Sequence, residues 1–307
     1  VAQVFGPVPS RRLGFSLGVD PVVPKTCTLD CVYCELGPTT NRTVSRRPYV
    51  PVDGILEELE ARLAEHPDLD FITLSGSGEP TLNSDIGRLI DGIKAMTDVP
   101  VAVLTNATLL TYPEVRAALA HADVVAPSID AVSREAFERV NRPHGSLDPA
   151  AIAGGLVAFA REFQGEIWLE VVFVEGLNDD SAEIERIAGV IRDVKPDKVH
   201  VNTVVRPPAA PTARALSHER LCEIAERLGP AAEVIAGPSG PPQSTTVSDA
   251  SSVITAMAAR RPVTATDVAR ATGTSLAAAV KTLDELEEKG VLSVVRHGET
   301  LYYRIRS

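Results

Sequence analysis

Between residues 50 and 230, short β-branched runs alternate with amphipathic segments, the pattern of repeated strand–helix units. The runs predict strands over 70–74, 99–104, 123–128, 167–174 and 198–204, with an earlier one over 15–19. Between them apolar residues recur at three- and four-residue spacing, as in Ile55, Leu59 and Leu63, or Ile86, Leu89, Ile90 and Ile93, or Ile184, Ile187, Val190 and Ile191. Each such segment is a helix with one face to bury. Side-chain oxygens at 83–85, 179–181 and Ser217 stand where first turns need caps. The order predicts an α/β fold of about six strand–helix units, a partial (β/α)6-type barrel over residues 1–236.

Residues 237–247 are too rich in Pro, Gly and Ser to form an element and predict a linker. Residues 248–307 then read as helix (250–258), helix (265–271), a turn at Gly273, helix (275–288) and two strands joined at His297 and Gly298. That is the order of a small winged helix-turn-helix domain.

Composition narrows the class. With 44% hydrophobic and 23% charged residues, the 307-residue chain is neither disordered nor fibrous. No uncharged apolar run approaches the roughly 20 residues that span a bilayer, so no membrane partner is expected. Ser10-Arg-Arg-Leu-Gly-Phe15 superficially resembles a twin-arginine export signal, but Asp20 and Pro21 cut the apolar stretch short, and the expected location is cytoplasmic. A net charge of -11 is a poor starting point for coating nucleic acid.

Four cysteines in so long a chain are no disulfide scaffold, and three of them, Cys27, Cys31 and Cys34, share a short loop with the spacing C-x3-C-x2-C. A zinc site normally has four ligands. Three thiolates suit a four-iron cluster, which then keeps one iron free for a small chelator. A zinc knot, or thiols that bind nothing, are the plainer readings of the same residues.

Cys27, Cys31, Tyr33 and Cys34 reproduce the C-x3-C-x-aromatic-C signature of the radical S-adenosylmethionine (SAM) enzymes, a resemblance that extends over residues 1–236. The segment Gly6-Pro-Val-Pro-Ser-Arg-Arg-Leu-Gly14 resembles the branch grouped with wyosine-synthase-like Fe-S oxidoreductases. The resemblance implies a [4Fe-4S] cluster that chelates SAM, reductive cleavage to a 5′-deoxyadenosyl radical, and hydrogen abstraction from a substrate. It also implies an electron donor such as ferredoxin or flavodoxin.

Further SAM contacts carry over by motif. Ser77-Gly78-Glu79-Pro80 resembles the family's Gly-Gly-Glu-Pro, with Ser77 replacing the first glycine. Gly78 would let backbone approach the methionine moiety, and Glu79 would accept from the SAM ammonium. Asn106 ends the third predicted strand, and Ser128 and Asp130 end the fourth, where the family surrounds ribose and methionine. Arg142 resembles an arginine that meets the SAM carboxylate, and Asn178 falls in a loop that approaches adenosine. Caps, turns or surface positions are the alternatives for each.

For substrate, the candidates at the barrel mouth are His200, Asn202, Thr203 and Arg206, with Arg11, Arg12 and Lys25 near the cysteine loop. Together with Arg42, Arg46 and Arg47 these cations suit an anionic substrate, the cluster's own charge, or an acidic electron donor. An RNA nucleotide, hence tRNA modification, is the leading expectation, with peptide or protein modification second. The chain has no cysteine before Cys27, whereas wyosine synthases hold a second cluster with such residues. The expected recognition helix turns acidic through Asp284, Glu285, Glu287 and Glu288, so DNA reading is weakly supported. An Fe-S redox-sensing transcription regulator is the rival from another class.

Overall fold

The structure, a computed structural model, describes residues 2–10, 12–65, 68–235 and 250–306. Arg11 and the expected linker 237–247 lie outside the described residues, as do the boundaries drawn around that linker.

Eight strands form one open sheet. An antiparallel pair, β1 (Val4–Pro9) and β2 (Phe15–Val19), leads into a parallel series: β5 (Phe71–Leu74), β6 (Val101–Thr105), β7 (Val124–Pro127), β8 (Glu166–Phe173), β9 (Lys198–Thr203) and β10 (Ala232–Val234). Two short strands between β2 and β5, β3 (Thr26–Cys27) and β4 (Asn41–Arg42), pair with each other. The crossovers are α1 (Val52–Glu65), α2 (Ile86–Met96), α3 (Pro113–Ala118), α4 (Arg134–Val140), α5 (Pro149–Glu162), α6 (Ser181–Val194) and α7 (His218–Leu228). The partial barrel expected from the pattern is the observed one, with β1 and β10 added at its edges.

Both faces of the parallel strands are buried, which is why they read as apolar runs rather than alternations. Val101 and Val103 pack outward in the main core with Ile86, Leu89, Ile90 and Ile93 of α2. Ala102, Leu104 and Ala126 belong to a separate cluster around Trp168 inside the sheet's curve. Asp180 caps α6 by accepting from the backbone of Ala182 and Glu183, and Ser217 caps α7. The expected cap at 83–85 differs. Asp85 makes no side-chain cap bond; Asn83 Oδ1 instead accepts from the Asp85 N–H, and Asn83 Nδ2 donates to the Pro21 and Val50 carbonyls.

The carboxyl-terminal part is α8 (Ala250–Ala258), α9 (Ala265–Thr272), α10 (Leu276–Glu288) and the hairpin β11 (Leu292–His297) and β12 (Thr300–Ile305). A Thr264/Asp267 capping box starts α9 and left-handed Gly273 ends it. This unit has its own core, onto which Val8 of β1 packs. It is also tied to the barrel by polar contacts: Tyr302 Oη donates to the Val205 carbonyl at 2.7 Å, and Arg260 lies over the Phe5 ring at 4.3 Å.

Candidate functional site

The cysteine loop leaves β2 and is fastened from three directions. Thr43 N–H donates to the Cys27 carbonyl at 2.9 Å, Val32 N–H to Val140, and Asp30 N–H to Asn141. From across the barrel, Asn106 Nδ2 lies 3.5 Å from Cys27 Sγ and Asn141 Nδ2 lies 3.4 Å from Cys31 Sγ. The three thiols are half-buried and none is in a disulfide.

Their surroundings favour the neutral thiol in the absence of a metal. Burial, aided by the Glu79 carboxylate, pushes the Cys27 thiol up to about 12. Burial and then Asp130 raise Cys31 well above the usual thiol range, and burial raises Cys34. Thiolates are stable there only beside added positive charge, which a bound iron core brings. Among the described residues no group of three or more His, Cys, Asp and Glu is arranged around a single ion. A four-iron cluster takes each cysteine at a separate corner, and the residues present fit it.

Tyr33 and the Ser77–Pro80 segment brace this loop. Tyr33 Oη donates to Asp130 Oδ2 at 2.5 Å, and that oxygen also accepts from Asn141 Nδ2 at 2.7 Å. Asp130 Oδ1 accepts from Val172 N–H at 2.9 Å. Burial lifts Asp130 to about 6 against these hydrogen bonds. Gly78 stands where a Cβ would fall 1.9 Å from the Thr26 carbonyl oxygen. The close approach that this glycine permits is therefore to the strand bearing Cys27. Glu79 Oε1 accepts from Thr81 N–H, Thr81 Oγ1 and Thr105 Oγ1, and Oε2 from Asn106 N–H.

A cavity of about 370 Å³ adjoins the loop. Cys31, Tyr33 and Cys34 border it on one side, and Met257, Arg260 and Arg261 of the carboxyl-terminal unit on another. On the barrel wall Arg12 pairs with Glu170 at 2.7 Å, and Asn202 Nδ2 donates to the same carboxylate at 3.1 Å. The expected Arg12 and Asn202 are thus brought together through Glu170.

Several expected residues do other work. Glu79 spends its carboxylate on the protein's own donors, as does Asp130, so their direct contribution is to hold Asn106 and Tyr33 in place. Asn178 is fully buried, accepting from Val174 N–H and donating both amide hydrogens to the carbonyls of Asp130 and Val172. Arg142, expected at a carboxylate, is exposed and borders a separate outer groove. Ser128 does face Asn106, Asp130 and Asn141, across a void of only about 20 Å³.

His200 packs edge-on against Trp168 with Nε2 3.2 Å from Glu233, outside the cavity wall. Burial lowers its pKa and keeps it neutral. Thr203 Oγ1 donates to the Phe173 carbonyl and accepts from Leu216 N–H. Arg206 reaches the cavity but is tied to Asp267 at 3.3 Å and to the Pro262 carbonyl, so it latches the carboxyl-terminal unit. Lys25 is half-buried on a second cleft, between the cysteine loop and that unit.

Asp20, Asn141, Glu170 and Arg260 were not evident from sequence. Asp20 Oδ2 takes both the N–H and the hydroxyl of Ser77, and lies 3.7 Å from Arg260 Nε. Asn141 stands beside the motif-matched Arg142, and its two amide contacts arise only when α4 folds back onto the loop.

Comparison with known proteins agrees with this geometry. A protein from Brachyspira hyodysenteriae named GTPase Obg is 42% identical over 71% of this chain, which spans only 32% of that protein. A UPF0026 protein of Synechocystis is 38% identical, covering 66% of this chain and 76% of its own length. The fold is similar to that of TYW1 solved with a lysine–pyruvate adduct, at a TM-score of 0.52 and 16% identity over 73% of this chain and 75% of that one. The family model described as the radical SAM superfamily matches residues 22–188, from just before Cys27 into α6, and the chain belongs to that superfamily.

Proposed function

We propose that the chain is a radical SAM enzyme in which Cys27, Cys31 and Cys34 hold a [4Fe-4S] cluster and SAM lies beside them in the 370 Å³ cavity. The observation that carries this reading is the C-x3-C-x2-C loop inside the matched family region, with Cys31, Tyr33 and Cys34 bordering a cavity large enough for a cofactor. When bound, the cluster supplies one electron to the SAM sulfonium, giving methionine and a 5′-deoxyadenosyl radical that takes hydrogen from the substrate. The chain's own side chains position the parts. The amides of Asn106 and Asn141 donate toward sulfur, Glu79 fixes Asn106, and Asp130 fixes Tyr33 and Asn141. Barrel and carboxyl-terminal unit both contribute walls to that cavity.

For substrate we infer an anionic nucleotide, with an RNA nucleotide and hence tRNA modification as the first choice. Arg12, Arg206, Arg260 and Arg261 outnumber Glu35 and Glu170 on the cavity wall, although Arg12 is paired with Glu170, and this local excess of cations in a chain of net charge -11 supports it. We read residues 248–307 as a winged-helix domain and the chain as cytoplasmic; no helix among the described residues is long and apolar enough to cross a membrane. A polypeptide substrate is the second reading. Leu276 and Val280 of α10 and Leu301 of β12 are exposed, and such apolar side chains suit a polypeptide better than base edges.

The test is anaerobic reconstitution followed by SAM and dithionite. Cluster-dependent 5′-deoxyadenosine, lost in Cys31→Ala, is the expected result. An intact cluster that responds to oxidant and controls operator binding without any SAM cleavage, with or without added tRNA, would replace this reading by a regulator.

A further inference from the structure

The cysteine loop has an outer skin as well as an inner cavity. Strand β4 pairs Cys27 with Arg42, and Thr43 N–H donates to the Cys27 carbonyl. On the other flank His144 N–H donates to the Thr28 carbonyl at 2.9 Å. Arg42 and the 142–144 segment therefore lie one hydrogen-bonded layer from the backbone of Cys27 and Thr28. They are tied to each other as well, by Arg42 Nη1 donating to the Arg142 carbonyl at 2.9 Å.

This layer frames a groove of about 300 Å³ whose charged and titratable wall is Arg42, Arg134, Glu138, Arg142 and His144. Arg134 is shared between Asp148 and Glu138. Arg42 and Arg142 are exposed, and among the described residues neither is paired with a carboxylate. A net cationic patch thus sits over the cysteine loop of a chain whose overall charge is -11.

We propose that this groove is the docking surface for a small acidic protein carrying a one-electron redox centre. The inference rests on the cluster reading above. An electron crosses protein only over short distances, and this groove lies one hydrogen-bonded layer from the backbone of Cys27 and Thr28. Complementary charge then selects and orients the carrier. At physiological ionic strength the Debye length of about 8 Å screens the chain's remote negative charge but leaves the local patch effective. Two unpaired guanidinium groups are too few for a folded RNA, whose binding draws on many phosphate contacts. Substrate atoms, moreover, have to reach the inner cavity bordered by Cys31 and Cys34.

Binding decides the matter without reference to turnover. Oxidised flavodoxin is titrated against the full-length protein, with and without reconstituted iron, for the parent, Arg42→Lys, Arg42→Glu and Arg42→Glu/Arg142→Glu. We expect about tenfold weaker binding for Arg42→Glu, a larger loss for the double variant, near-parental binding for Arg42→Lys, and weaker parental binding as salt rises. Thermal unfolding shows whether each variant is folded. Dithionite, which needs no docking, should reduce Arg42→Glu and the parent at the same rate. Flavodoxin affinity within twofold of the parent in a folded double variant overturns the proposal. So does a loss confined to tRNA binding, which would assign the patch to RNA. Failure of dithionite to yield 5′-deoxyadenosine in the parent strikes the cluster reading instead, and the titration on iron-free protein still reports on the groove.

Discussion

Gly78→Ala isolates the contact on which the site's geometry depends. The added Cβ would lie 1.9 Å from the Thr26 carbonyl oxygen, 2.9 Å from its carbon and 3.1 Å from Val22 Cγ2. The first two are backbone atoms next to Cys27, so no side-chain rotation relieves them. The 77–80 segment has to move away by more than an ångström to restore van der Waals separation, breaking the 3.0 Å bond from Glu79 N–H to the same Thr26 carbonyl. Overpacking costs about 1–3 kcal/mol and the lost hydrogen bond about 1 kcal/mol, so a loss of about 2–4 kcal/mol is expected. Urea unfolding of the iron-free protein measures it as a lower midpoint at unchanged slope. Iron content after reconstitution should fall with it, because Glu79 carries Asn106 toward Cys27 Sγ. An alanine variant within about 0.5 kcal/mol of the parent, with full iron loading, would refute the argument.

Two predictions concern other parts of the molecule. Arg206→Ala removes one partner of a buried pair and leaves Asp267, at 10% side-chain exposure, with only its Thr264 cap and the charge of Arg261, for a cost of about 1–3 kcal/mol; proteolysis within 250–306 should quicken, and Arg206→Ala/Asp267→Ala should cost less than the sum of the single changes. Glu183 is nearly fully buried, and although burial raises its pKa, hydrogen bonds from Ser133, Val132 and Arg186 outweigh that and hold it below 4.5. Its contribution is thus complete above the unfolded value and fades as pH falls through the depressed folded one. Stability curves against pH should flatten on the acid side in Glu183→Gln, and an unchanged slope would count against the assignment.

Periodicity carried much of the fold. The strand at 15–19 and the helix at 250–258 coincide with β2 and α8, since both are continuous apolar or amphipathic runs between clear breakers. β1 was not legible, because Phe5-Gly-Pro-Val-Pro9 reads as a loop and only an edge position tolerates those prolines. β10 has three residues and no pattern to detect. In the site, the cysteines, Tyr33 and the Ser77–Pro80 segment stand out because their spacing is local. Asp20 does not, since its partner Ser77 is 57 residues away. The partners of Asn178 and Arg206 were not legible, because a polar residue at a strand end looks the same in sequence whether it faces a ligand, holds nearby backbone as Asn178 does, or reaches a distant carboxylate as Arg206 reaches Asp267.

Met257, Arg260 and Arg261 wall the same cavity as Cys31 and Cys34, although more than two hundred residues separate the two sets along the chain. On a ribosome adding about 5–20 residues per second, the cysteine loop is made roughly 10–45 s before that wall. Through that interval the thiols are open on the side that is later closed. Loading with iron and sulfur therefore has a kinetic window during synthesis, and so does damage by oxidants. How well the protein is filled in a cell then depends in part on what the nascent chain meets during that window.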